Sequence, residues 1–200
     1  KNGWRTGREG IFEKKASKKS ATTTLAFTLY TADTTDLKQA AELLRNQWKK
    51  LGADVTVKVF PPAELYQNTI RTRDYDALLF GQAVGKSNDF YAFWHSSQRN
   101  APGLNVSMYA NSKADKLLER LRIATSTAAR ISGYNQLSQT ISEDAPAVFL
   151  YSPSLIYAVP KKLQGLRLGV AASQTDRFQY IDDWYMETER VWNFFDKKEL

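Results

Sequence analysis

Apolar positions along this chain switch between two periods. From Thr23 to Tyr30 they alternate, with Leu25, Phe27 and Leu29 on one side, which is the period of a strand. From Asp36 the period becomes helical: Leu37, Ala40, Ala41, Leu44, Trp48 and Leu51 share a face until Gly52, and Asp36 with Gln39 has capping-box spacing. Ala53 to Phe60 alternates again through Val55, Val57 and Val59, and Pro61-Pro62 ends it. Strand, helix and strand of these lengths predict a βαβ unit with parallel strands. A short helix is expected over 63–73, with Leu65, Tyr66, Thr69 and Ile70 inward. The continuous run Ala77-Leu78-Leu79-Phe80 then predicts a strand apolar on both faces, central in a parallel or mixed sheet.

Beyond Gly81 the pattern is a polar loop, then the aromatic cluster Phe90, Tyr91, Phe93 and Trp94, then a loop with Pro102-Gly103 as a turn signal. Ser112 and Asp115 have capping-box spacing ahead of a helix through Leu117, Leu118, Leu121 and Ala124. A second helix over 127–143 places Ile131, Tyr134, Leu137 and Ile141 on one side, and Asp144-Ala145-Pro146 breaks it. Strands are expected at 147–151, 155–159 and 178–181. The predicted fold class is α/β, a mixed and mostly parallel sheet flanked by helices. The expected organisation is a loop-rich lead-in over 1–22, an α/β body over 23–181 and a tail over 182–200.

Composition narrows the classes. Hydrophobic residues make up 42% and aromatics 12%, as in a globular chain. No apolar run approaches the roughly 20 residues that span a bilayer, and no charged head with an apolar core opens the chain, so any targeting signal is expected upstream of Lys1. Zero cysteines exclude disulfides and thiolate chemistry, and a single histidine, His95, argues against a dedicated transition-metal site or a histidine-centred triad. No metal or other cofactor is expected. The net charge of +7 invites a nucleic-acid reading, but the first twenty residues hold seven basic residues against two acidic, leaving the remainder near neutral. No nucleic-acid partner is therefore expected.

In open α/β sheets ligands gather where loops leave the carboxyl ends of strands, which here means 81–89. Gln82, Lys86, Asn88 and Asp89 on that loop either line a cleft or make turn hydrogen bonds. Phe93 and Trp94 either stack on a ligand or fill a core. His95 is expected to bond locally.

Six separated stretches carry a resemblance: GWRTGREGIFEKK, AAELLRNQWKKLGADVTV, YDALLFG, DFYAFWHSSQ, the series Asn105, Tyr109, Asn111 and Asp115-Lys116-Leu117-Leu118, and SEDAPAVFLYSP. Together they resemble the bacterial extracellular solute-binding proteins of family 5, the oligopeptide, dipeptide and nickel type, in their carboxyl-terminal lobe (domain III). The resemblance implies one lobe of a type II venus flytrap, periplasmic or extracellular and in some cases a lipoprotein. Such a receptor holds a small solute in a cleft between lobes and passes it to the permease of an ATP-driven importer. Partners implied are the solute, an N-terminal lobe of the same polypeptide, and that permease.

Candidate ligand-binding residues are then Gln82, Lys86, Asn88, Asp89, Phe93, Trp94 and Asn105. The chain departs from the family's peptide pattern. Gly81 is followed by Gln82 instead of Trp, the acidic position three residues further on is Gly85, and Phe90 replaces the proline after Asp89. The usual carboxylate anchor for a peptide ammonium is thus absent, leaving a peptide, a sugar or an opine-like solute open. One wall alone is expected to bind poorly.

The rival classes are weaker. A hydrolase would need carboxylates on the loop, yet Glu143-Asp144 and Asp182-Asp183 sit beside structural stops. No phosphate loop or nucleophile elbow appears. A nucleic-acid-binding domain would rest on the basic opening with Trp4 and Phe12.

Overall fold

A computed structural model describes residues 3–15, 17, 20–84, 89–154, 156–167, 169 and 173–186. Two compact units divide the chain: Lys1–Gln82 with Phe90–Pro146, and Ala83–Asp89 with Ala147–Leu200.

The first unit is built on a parallel sheet. Strand β4 (Ala26–Ala32) pairs in parallel with β5 (Asp54–Phe60), Ala26 opposite Asp54 and Ala32 opposite Phe60. On its other side β4 pairs with β6 (Ala77–Leu79). The order β5-β4-β6 makes β4 the centre, so the apolar run 77–80 forms an edge strand instead of the central one expected from its composition. Its last side chain, Phe80, is correspondingly exposed.

Helix α1 (Thr35–Lys50) crosses between β4 and β5 and lays Ala41 against Leu29 and Val55. Phe27 meets Trp48 edge to face, with ring centroids 5.2 Å apart. The helix begins one residue before Asp36, which lies in its first turn where a carboxylate favours the macrodipole. Gly52 ends it with φ of +84°; a Cβ there would come within 2.9 Å of the Phe12 ring and of Gly10 O.

The opening residues, expected as loops, form a small antiparallel sheet of β1 (Arg5–Thr6), β2 (Phe12–Lys15) and β3 (Thr22–Thr24). Phe12 joins it to the parallel sheet by donating its N–H to Gly52 O and accepting from Leu25 N–H. The segment before β6 is helix α2 (Pro62–Glu64) continued by a wide π-turn over Leu65–Ile70. Leu65, Thr69 and Ile70 are buried and Tyr66 is exposed, because the wider turn rotates Tyr66 off the inner face.

Helices α3 (Tyr91–Trp94), α4 (Ser112–Ile123) and α5 (Thr127–Asp144) complete this unit around a second core of Trp94, Tyr109, Ala114, Leu117, Leu118, Leu137 and Ile141. Each leucine buried there contributes roughly 2 kcal/mol. Asn111, not Ser112, caps α4, its Oδ1 accepting from the N–H groups of Lys113 and Ala114. On α5 Leu137, Thr140 and Ile141 are buried, whereas Ile131, expected inward, is exposed.

In the second unit, 147–154 and 156–160 hold no strand among the described residues, and Leu155 lies outside them. The strand expected at 178–181 is replaced by two 3-10 turns, Gln174–Phe178 and Ile181–Asp183. A two-residue ribbon joins β7 (Leu163–Gln164) to β8 (Tyr185–Met186). Tyr157, Phe178 and Trp184 cluster with centroids 5.8 to 6.4 Å apart, Arg177 lies over two of the rings, and Arg167 pairs with Asp183.

Candidate functional site

The candidate residues divide by position. Gln82 is exposed just beyond the carboxyl end of β6, where a parallel sheet delivers its loops. Asp89 is exposed as well, and Lys86 and Asn88 lie outside the described residues. Phe93, Trp94 and Asn105 come together around α3. Trp94 is 8% exposed and meets Tyr109 edge to face at 6.2 Å, while Phe93 is half-buried against the same core.

Asn105 is fully buried and uses its amide internally. Its Nδ2 donates to His95 O at 3.1 Å and Tyr109 O at 2.9 Å, and its Oδ1 accepts from Tyr109 N–H and Ser107 Oγ, both at 3.1 Å. A buried asparagine satisfied in this way fastens the 105–109 loop.

His95, the residue that ends α3, is buried and stacks on Tyr91, ring centroids 4.1 Å apart. Its Nδ1 accepts from Ser97 N–H at 3.1 Å, which places the neutral proton on Nε2. Nε2 faces Glu119 and Asp115 carboxylates at 3.6 and 3.9 Å. Asp115 itself accepts from Ser96 N–H and Ser96 Oγ at 2.9 and 2.6 Å, joining the end of α3 to α4.

Several residues that hold this region carried no local signal. Thr31 on β4 donates its hydroxyl to Leu79 O on β6 at 3.0 Å, and Asp76 accepts Thr28 N–H at 2.9 Å. Arg73 Nε donates to Arg99 O at 3.0 Å and Nη2 to Gly103 O at 2.6 Å, and Tyr75 donates its hydroxyl to Val106 O. Burial pushes the Tyr75 phenol above its ordinary range, opposed by the Arg73 charge. Among the described residues no group of histidines and carboxylates could hold a metal ion.

Gln82 thus stands beyond the carboxyl end of a strand of a parallel α/β sheet, the place where such sheets deliver ligand-binding loops. Residues 1–103 match the model of the bacterial extracellular solute-binding proteins, family 5 Middle, and the chain belongs to that family. The family comprises binding proteins of transport and not enzymes.

The oligopeptide-binding protein AppA of Bacillus subtilis is 32% identical over 168 residues, which cover 82% of this chain and 30% of that protein. The probable D,D-dipeptide-binding periplasmic protein DdpA of Escherichia coli is 26% identical over 148 residues, 73% of this chain and 28% of that one. This chain therefore aligns with less than a third of the length of either relative.

Among solved structures, B. subtilis AppA in complex with a nonapeptide superposes with a TM-score of 0.74 at 28% identity, covering 93% of this chain and 35% of that one. NikZ from Campylobacter jejuni in complex with Ni(L-His) gives 0.64 at 20% identity, covering 91% and 36%, a likeness of fold alone. The fold class is thus α/β of the type II solute-binding kind.

Proposed function

We propose that these residues form one wall of a solute cleft in a receptor that feeds the permease of an ATP-driven importer, outside the cytoplasmic membrane and in some settings lipid-anchored. The other wall is supplied by a further lobe of the same polypeptide. The observation that carries this reading is the likeness to AppA, at 32% identity, together with Gln82 standing at the carboxyl edge of the sheet. Gln82, Lys86, Asn88 and Asp89 are the residues we assign to the solute.

AppA is an oligopeptide-binding protein, so a peptide is the first solute class to test. Gln82 and Gly85 stand where the family's peptide pattern carries Trp and an acid. An ammonium therefore lacks its charge-assisted partner there, and recognition of a peptide would rest on main-chain hydrogen bonds and side-chain pockets. Isothermal titration of the intact protein with a nonapeptide, free or acetylated at its amino terminus, tests both points. We expect binding of both forms within roughly threefold of each other, far less than loss of a charge-assisted bond would give. No binding of either form, alongside binding of a sugar or a nickel–histidine chelate, would reassign the solute.

A further inference from the structure

We propose that Ser97 is an activated nucleophile, with His95 as its general base, able to take one acyl group from an activated donor such as an aryl ester or a thioester. Ser97 lies in the 3-10 turn Ser96–Gln98, directly after α3, and is exposed. Its Oγ stands 2.8 Å from His95 Nδ1, within reach for handing over a proton. The turn sets that distance. Ser97 N–H also donates to Nδ1, so the ring caps the turn and the hydroxyl of the same residue is brought to the same nitrogen. With its own proton directed at Nδ1, Oγ accepts from Gln98 Nε2 at 3.2 Å and from the Tyr91 hydroxyl at 3.4 Å. Negative charge developing on Oγ therefore meets donors already in place. A single histidine suffices for this arrangement, because base and nucleophile are two residues apart in the chain.

A base needs a fixed ring and a third group behind it. The His95 ring lies on Tyr91, and the Arg122 guanidinium lies 4.6 Å from the Tyr91 centroid. Its Nε2 is buried and makes no hydrogen bond, with Glu119 and Asp115 carboxylates at 3.6 and 3.9 Å. Asp115, Glu119 and Arg122 are spaced to share one face of α4, which is the face turned to the ring. A neutral Nε2–H gains little from carboxylates at that range, whereas an imidazolium is drawn to both. Asp115 is held by Ser96 N–H and Oγ, so Glu119 is the one that can close on the charged ring. In the step itself, Ser97 Oγ bonds to the acyl carbon, the leaving group departs with the electron pair of its broken bond, and the Ser97 proton moves to Nδ1. Ser97 N–H then loses that acceptor and becomes a main-chain donor beside Oγ for the oxyanion. The chemistry is one transfer per molecule, in keeping with a binding protein and not an enzyme.

The test treats the intact protein with an alkyl fluorophosphonate, which transfers its phosphonyl group to an activated serine with loss of fluoride, and maps the adduct by mass spectrometry. We expect Ser97 to be labelled about tenfold or more faster than the exposed Ser17 of the same molecule. His95→Gln keeps an acceptor for Ser97 N–H but cannot take up the proton. It should slow labelling of Ser97 by about a hundredfold while the melting temperature stays near that of the wild type. Glu119→Gln, at an exposed position, should slow labelling severalfold. Labelling of Ser97 no faster than Ser17, or an unchanged rate in folded His95→Gln, would overturn the proposal. Should His95→Gln fail to fold, Glu119→Gln decides in its place: a slowed rate upholds the proposal and an unaltered one overturns it.

Discussion

Tyr109 donates its hydroxyl to Asp144 Oδ2 at 2.6 Å, across 35 residues of sequence, and so joins the loop before α4 to the last residue of α5. Asn111 Nδ2 reaches the same oxygen at 2.6 Å. The two bonds, Tyr109 first and Asn111 second, hold the Asp144 carboxyl below its ordinary range. A carboxyl depressed in the folded state stabilises the fold above its unfolded pKa of about 4 and loses that contribution as pH falls through the folded value. We expect the urea midpoint of the wild type to fall on acidification below about pH 4, and Tyr109→Phe to flatten that dependence. Parallel pH profiles for the two proteins would remove the bond from the account.

The same contact acts at the alkaline end with opposite sign. Burial, then the bond to Asp144, raises the Tyr109 phenol well above its ordinary range, and burial raises Tyr75. A group raised in the folded state contributes stability that is complete below its unfolded pKa, about 10 for tyrosine, and is lost as pH rises through the folded value. In a phenolate absorbance titration, these two tyrosines should ionise last and together with unfolding. Tyr109→Phe should remove one phenolate from the late phase; a late phase of unchanged size would contradict the assignment.

Local periodicity made β5, α1 and α5 legible, because each is long enough for its period to repeat and each ends at a marked residue, Pro61, Gly52 or Pro146. Strand order was not legible. The run 77–80 is apolar whether central or at an edge, and its place beside β4 depends on Thr31, Asp76 and the crossover helices. Strands β1 to β3 are two to four residues long and exist through pairing with one another, so no period could announce them. The polar loop after Gly81 was visible as a candidate site from its position alone. The hold of Arg73 and Tyr75 on the 99–106 loop was not visible, since they act on carbonyls 26 to 31 residues away.

Asn105 offers a direct measure of how much the 105–109 loop depends on one side chain. Truncation to alanine leaves His95 O, Tyr109 O and Tyr109 N–H without their partner in a fully buried place. We expect Asn105→Ala to cost roughly 3 kcal/mol of unfolding free energy, with α1 and β5 unaffected in their own contacts. Chemical denaturation followed by tryptophan fluorescence measures it, and Trp94 reports from the affected core. A loss under about 1 kcal/mol would mean that water replaces the amide readily.

Gly103 is fixed by proximity and not by its own backbone angle. A Cβ built on it would stand 2.2 Å from Gln98 O and 2.6 Å from Gln98 C, main-chain atoms that cannot swing aside as a side chain would. Gly103 O is also the acceptor for Arg73 Nη2, so a displaced residue 103 weakens that bond as well as the turn. Gly103→Ala should therefore destabilise by about 2 kcal/mol or more and, on a background already carrying Arg73→Gly, by distinctly less, because the two changes share one contact. A double-mutant cycle on unfolding free energies measures the coupling. Strict additivity would show that the alanine acts on the turn alone and that Gly103 has no part in holding Arg73.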